Sequence, residues 1–145
     1  MMAKILIIDD EEIIRQQMQK LLTLDDYETF TAEDGTKGLE IYDREQPEIV
    51  LVDVKMPGMD GIEVLKRIKE RCATTEVINI TGHGGVETAI RALKLGAFGY
   101  IQKPVEYDEL EIEIRRALEK QEMQKQLDTY VQSLENAYSE LEQIF

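Results

Sequence analysis

Short apolar runs alternate along the chain with longer amphipathic ones. Five runs read as strands: residues 4–8 (Lys-Ile-Leu-Ile-Ile), 28–32 (Glu-Thr-Phe-Thr-Ala), 48–52 (Glu-Ile-Val-Leu-Val), 76–80 (Glu-Val-Ile-Asn-Ile) and 98–101 (Phe-Gly-Tyr-Ile). The first and third are continuous, apolar and rich in branched side chains, the pattern of strands covered on both faces. The second alternates and carries Thr, which places it near an edge. Between the strands, apolar residues recur at helical spacing. Residues 11–24 carry Ile14, Met18, Leu21 and Leu22, and residues 36–45 carry Leu39 and Tyr42. Residues 60–71 carry Ile62, Leu65 and Ile68, and residues 85–95 carry Val86, Ala89, Ile90 and Leu93. Gly96 reads as the stop of that fourth helix. Strand–helix alternation repeated five times predicts an α/β fold with a five-stranded parallel sheet, doubly wound, with right-handed crossovers and helices on both faces.

The last helix behaves differently. It starts near Glu106, and Tyr107, Leu110, Ile114 and Ala117 form its core stripe. After a polar stretch over 119–126, a second stripe of Leu127, Val131, Leu134, Tyr138, Leu141 and Phe145 runs at steps of four and three, a heptad seam. No Pro or Gly interrupts residues 105–145, so one helix of about 40 residues, roughly 60 Å long, is predicted. The change of stripe divides the chain into a compact unit, residues 1–120, and a helical extension, residues 121–145. The seam with its acidic flanks predicts a homodimer through a parallel pair of C-terminal helices. A seam ending in mid-heptad suggests a piece of a longer protein, with an output domain outside this chain.

Composition narrows the function classes. At 145 residues the chain is one domain's length. Thirty acids against 17 Lys and Arg give a formal net charge of −13. That balance opposes direct nucleic-acid binding, which draws its affinity from Lys and Arg, and opposes anionic membrane surfaces. One cysteine, Cys72, excludes an internal disulfide and Cys-rich zinc modules; one histidine, His83, excludes His-rich metal sites. No run reaches the ~18–20 apolar residues of a membrane span. The opening Met-Met-Ala-Lys lacks the long apolar region of a secretion signal, so a cytoplasmic location is expected.

The chemistry lies where the strands end. The first strand runs into Asp9, Asp10, Glu11 and Glu12. The third runs into Asp53, the fourth into Thr81 and Gly82, the fifth into Gln102, Lys103 and Pro104. In a parallel sheet these ends share one edge, where ligands bind. Crowded carboxylates need a cation, and hard oxygen ligands favour Mg²⁺. Such a cation, a Lys and a hydroxyl can neutralise and position a phosphoryl group while a carboxylate attacks it. Taken singly, each residue has a plainer reading: Asp9 and Asp10 as helix caps, Asp53 as a turn residue, Thr81 and Lys103 as ordinary loop and surface residues, and Tyr100 as core.

Together, Ile8-Asp9-Asp10-Glu11-Glu12, Val52-Asp53-Val54-Lys55-Met56-Pro57-Gly58-Met59-Asp60-Gly61, Thr81-Gly82 and Lys103-Pro104 occur in order and at matching spacing. Over residues 3–120 the chain resembles the receiver domains of two-component response regulators. The resemblance implies a flavodoxin-like topology and a phosphorelay switch that catalyses only its own phosphorylation and dephosphorylation. Asp53 is then the phosphoacceptor, served by a sensor histidine kinase or phosphotransfer protein. Asp9, Asp10, Asp53 and the backbone carbonyl of Lys55 hold Mg²⁺, while Thr81 and Lys103 contact the phosphoryl group. Tyr100 is the aromatic partner that turns inward when Thr81 moves. The Lys103–Pro104 bond is expected to be cis, and Gly82 leaves room for the donor. Lys55 and His83 stand where family members tune dephosphorylation. The segment from Thr81 to Ile90, with Leu95-Gly96-Ala97-Phe98, resembles receivers of enhancer-binding transcriptional activators.

Other classes fit less well. A flavodoxin-type flavin carrier needs a Ser/Thr/Gly-rich loop where this chain has four acids. An aspartyl phosphatase of the haloacid dehalogenase type needs a second Asp where this chain has Lys55. A degenerate receiver would lack an acid or the Lys, and a coiled-coil scaffold has no use for the acidic strand ends.

Overall fold

A computed structural model describes residues 2–82 and 85–144. The readings placed on His83 and on Phe145 lie outside the described residues. The elements follow as β1 (Lys4–Ile8), α1 (Glu12–Leu24), β2 (Glu28–Ala32), α2 (Gly35–Glu45), β3 (Ile49–Asp53), α3 (Gly61–Arg71), β4 (Glu76–Thr81), α4 (Val86–Lys94), β5 (Gly99–Gln102) and α5 (Tyr107–Ile144). The strands pair in parallel in the order β2-β1-β3-β4-β5. The alternating β2 is an edge strand, as its pattern requires, and β1 and β3 are interior.

The period-two alternation of each strand feeds two cores. Leu6, Ile8, Val50, Val52 and Val77 pack beneath α2, α3 and α4, with Tyr42, Leu65 and Ile68. Ile5, Ile7, Ile49, Leu51, Ile78 and Ile80 pack beneath α1 and α5, with Leu22, Leu110 and Ile114. Burying such a side chain is worth about 1.5–3 kcal/mol, so the sheet is the main stabilising element. Truncating fully buried Leu51 to Ala would cost about 2–5 kcal/mol.

Three strands end one residue later than the pattern suggests. Asp53 still pairs with Ile80, and Thr81 with Gln102, so both functional candidates are rungs of the ladder. Gly96 adopts φ +102 after α4, the left-handed backbone that ends a helix. The apolar stripe expected to seat α4 does not: Ala92 is buried, whereas Val86, Ile90 and Leu93 are exposed. Edge strand β5 is short and offers α4 little surface, so the small Ala92 faces the sheet and the larger side chains face outward.

Helix α5 runs unbroken for 38 residues, about 57 Å. Its first turns are seated by Leu110, Ile114 and Ala117. Among the described residues Gln121 makes the last hydrogen bonds from this helix to the body, donating from Nε2 to the carbonyls of Glu48 (2.7 Å) and Thr74 (3.0 Å). From Glu122 to Ile144 every residue is exposed, the seam residues Leu127, Val131, Leu134, Tyr138 and Leu141 included. No described helix is long and apolar enough to cross a membrane.

Candidate functional site

The C-terminal edge of the sheet collects the predicted residues. Asp9, directly after β1, is 1% exposed and held from several sides. Its amide donates to the Ala32 carbonyl (3.2 Å), and its carbonyl accepts from Arg15 Nη1 (2.6 Å). Its Oδ1 accepts the Glu11 amide at 2.8 Å, the local turn that leads into α1. That bond is all that remains of the capping reading, since the N-cap residue Glu11 makes no side-chain cap. Asp10 is exposed beside it.

Asp53, the last residue of β3, is 4% exposed. Its Oδ1 accepts the Lys55 amide (3.3 Å) and its Oδ2 accepts from Lys103 Nζ (3.2 Å). The strand is backed by the start of α3. The Gly61 amide donates to the Val54 carbonyl at 2.9 Å, and a Cβ at Gly61 would collide with the Asp53 carbonyl oxygen. A glycine is therefore required where α3 meets the end of β3. Asp60 caps that helix by accepting the Glu63 amide at 2.9 Å.

Carboxylate oxygens of Asp9, Asp10 and Asp53 lie within 4.8 Å of one another. Lys103 Nζ reaches both buried acids, 3.3 Å from Asp9 Oδ2 and 3.2 Å from Asp53 Oδ2. The approach to Asp9 Oδ2 is an ion pair without hydrogen-bond geometry, so that oxygen has no hydrogen-bond partner among the described residues. Burial pushes the Asp53 carboxyl above the ordinary carboxylate range; Lys103 pulls it back and the charge of Asp9 adds to the rise. Burial works against the Lys103 ammonium, but Asp9 and Asp53 outweigh it and hold its pKa above the ordinary lysine value.

Thr81 closes β4 at 3% exposure, and its carbonyl accepts the Lys103 amide at 2.6 Å. The Lys103–Pro104 bond is cis. Nothing described lies within 4 Å of where a Cβ on Gly82 would stand, so space beside Thr81 is open. Tyr100 is half-buried, its hydroxyl donating to the Gly85 carbonyl at 3.4 Å. Lys55 enters through its amide, and its side chain is exposed. The set is thus assembled as the strand ends imply: three acids, one ammonium and one hydroxyl at one edge. Arg15, which tethers Asp9, was not singled out from the sequence; its position one turn into the helix after the acids was the available signal. Buried Asn79 was also passed over, although it is a polar residue inside an apolar strand.

The family model described as the response regulator receiver domain matches residues 5–115. The chain belongs to this family. Receiver domains are signalling modules rather than classical enzymes, with a phosphoacceptor role in two-component signalling. This receiver is similar to the regulatory protein AtoC of Escherichia coli (strain K12), at 38% identity over 93% of this chain and 29% of the relative. It is similar also to the sporulation initiation phosphotransferase F of Bacillus subtilis (strain 168), at 38% identity over 81% of this chain and 95% of that protein. Among solved structures, a receiver domain protein from Clostridium thermocellum matches with TM-score 0.82 and 40% identity over 84% of this chain and 98% of that one. NtrX from Brucella abortus, in complex with ADP, matches with TM-score 0.84 and 35% identity over 88% of this chain and 30% of that one. The chain therefore spans nearly the full length of some relatives and under a third of others.

Proposed function

We propose that this receiver is a phosphorylation switch in which Asp53 accepts a phosphoryl group from the phosphohistidine of a sensor kinase or phosphotransfer protein. The observation that carries the reading is the convergence of Asp9, Asp10 and Asp53, within 4.8 Å of one another, on an edge where Lys103 reaches both buried acids. The donor set fits a hard divalent cation: all oxygen, with the buried Asp9 Oδ2 paired to Lys103 but without a hydrogen bond among the described residues. Asp9, Asp10, Asp53 and the Lys55 carbonyl would hold Mg²⁺, which when bound supplies neutralising charge beside the phosphoryl oxygens.

An Asp53 oxygen forms a bond to phosphorus as the phosphorus–nitrogen bond of the donor breaks. The electron pair leaves with the imidazole nitrogen, which takes a proton from solvent. Lys103 and the Thr81 hydroxyl bind phosphoryl oxygens and stabilise the charge developing there. Engagement of Thr81 lets Tyr100 give up Gly85 and turn inward, and the α4 surface changes with it.

Residues 121–145 act as a separate helical linker, pairing with a second copy in parallel. Beside the seam, one flank carries Asp128, Glu135 and Glu142, and the other carries Met123, Tyr130, Ala137 and Ile144. Parallel pairing sets acid against apolar flank, whereas antiparallel pairing sets acid against acid. Relatives that are much longer than this chain support an output region beyond the linker.

The test is intact mass after incubation with Mg²⁺ and a small-molecule phosphodonor. Gain of one phosphoryl group, lost in Asp53→Ala and with chelator, is the expected result. No gain by folded protein would leave a receiver that works without phosphorylation. For the linker, Leu134→Asp should give a monomer in sedimentation with the mass gain intact.

A further inference from the structure

One buried polar side chain stands beside the switch without a use. Asn79 lies in the middle of β4 at 0% exposure, among Val77, Ile78 and Ile80. Its Nδ2 donates to the Gly61 carbonyl at 3.4 Å, which fixes the amide's orientation, since the reverse would set two acceptors face to face. Its Oδ1 has no partner among the described residues. A buried acceptor left unmet destabilises the arrangement that leaves it so.

The location gives that cost a direction. Strand alternation puts Asn79 on the same sheet face as Thr81, two residues on. Register puts Tyr100 of β5 directly beside it on that face, and Val52 on its other side. Through Gly61 it also touches the turn that backs Asp53. By strand register the neighbouring hydroxyls on this face are those of Thr81, which turns to the phosphoryl group, and Tyr100, whose one hydrogen bond among the described residues is the 3.4 Å bond to Gly85.

We infer that Asn79 is a positioning residue of the switch: its Oδ1 is an acceptor left empty in the resting arrangement and filled by a side-chain hydroxyl in the rearranged one. Asn79 thereby biases the receiver toward the phosphorylated arrangement. The inference rests on the switch reading given above. An apolar residue of the same size would relax the resting state and remove the reward for rearranging.

The test uses the full chain with Mg²⁺ and beryllium fluoride as the phosphoryl mimic. Half-saturation is read by thermal shift, and Tyr100 by ¹⁹F NMR of fluorotyrosine-labelled protein. Asn79→Leu should keep or raise the ligand-free melting temperature. It should also raise the half-saturating concentration by roughly tenfold, the size of one unmade buried hydrogen bond. Asn79→Thr, which keeps an acceptor, should stay within about twofold of the parent, and it serves if the Leu variant does not fold. Repeating Asn79→Leu in a Tyr100→Phe background tests the donor: the effect should vanish there, because the Thr81 hydroxyl gives its one hydrogen to the phosphoryl group, and an effect that persists overturns the inference. A half-saturation unchanged in Asn79→Leu, or shifted equally in Asn79→Thr, overturns the inference. If the parent itself shows no Tyr100 shift, the switch reading fails and takes the inference with it.

Discussion

Both ends of the sheet bury carboxylates, and they do so in opposite ways. At the N-terminal end, Glu76 of β4 is 2% exposed and lies between two ammoniums. Lys69 is 3.5 Å away and Lys120 3.2 Å away. Lys69 is itself fixed by the carbonyls of Thr75 (2.6 Å) and Ala73 (3.0 Å). That acid is balanced: Lys69 meets its charge, and the surplus positive charge sits on Lys120, whose side chain is 60% exposed. At the C-terminal end, Asp9 and Asp53 share Lys103, with exposed Asp10 alongside. Two buried acids on one ammonium leave negative charge uncompensated, which a divalent cation can neutralise. A balanced buried charge fastens elements together, here α3, β4 and α5. An unbalanced one leaves charge that a ligand can meet.

The largest expected effect comes from removing the cation of the unbalanced end. Lys103→Met should slow phosphoryl transfer from a small-molecule donor by about 100-fold, the scale of losing one positioned charge. In the same variant Mg²⁺ should raise the melting temperature more than it does in the parent, because the ion then faces both acids alone. Equal Mg²⁺ stabilisation in the two proteins would mean that Lys103 does not govern the acids' charge.

Next is the balanced end. Glu76→Leu leaves the half-buried Lys69 with its two carbonyl acceptors and no counter-charge, while Lys120 can turn to solvent, and should destabilise the fold by about 2 kcal/mol. Urea denaturation measures this. Phosphorylation should proceed unimpaired in the folded variant, and a matching loss of phosphoryl transfer would erase the contrast between the ends.

The third effect has the opposite sign. Burial holds the Asp53 pKa above its unfolded value, so folding favours its neutral form. The cost of ionised Asp53 is absent below the unfolded carboxylate pKa, near 3.9. It grows as pH rises toward the folded pKa and is complete above it. In chelator, Asp53→Asn should therefore melt above the parent at neutral pH. That advantage should shrink as the pH is lowered through this window. Melting curves across pH check the sign.

The smallest effect belongs to the balanced end. Cys72 caps α3, and hydrogen bonds from Thr74 and Thr75 hold its thiol down at about 7. Its alkylation rate should reach half its maximum near pH 7. Thr74→Ala should move that midpoint upward.

Much of this was legible in the chain, for physical reasons. A parallel sheet brings all strand ends to one edge, so Asp9, Asp53, Thr81 and Lys103 were neighbours as soon as their strands were recognised. The long helix that continues past Gln121 was readable because no Pro or Gly interrupts residues 105–145. The stripe of α4 was not, because Val86, Ile90 and Leu93 at helical spacing fit a buried face and an exposed one equally. Glu76 reads as the polar start of a strand, and its two lysines lie 7 and 44 residues away, so only folding reveals the balance. Asn79 interrupts an apolar run, yet no pattern tells a satisfied buried amide from an unmet one.

The most direct measurement locates the phosphoryl group. The phosphorylated chain is treated with hydroxylamine, which attacks an acyl phosphate at carbon, releases phosphate and leaves a hydroxamate. Trypsin then separates residues 5–15, which hold Asp9 and Asp10, from residues 45–55, which hold Asp53. A hydroxamate on Asp53 in the second peptide is the expected result. A hydroxamate in the first peptide, or a phosphate that resists hydroxylamine, would contradict the assignment of Asp53 as acceptor.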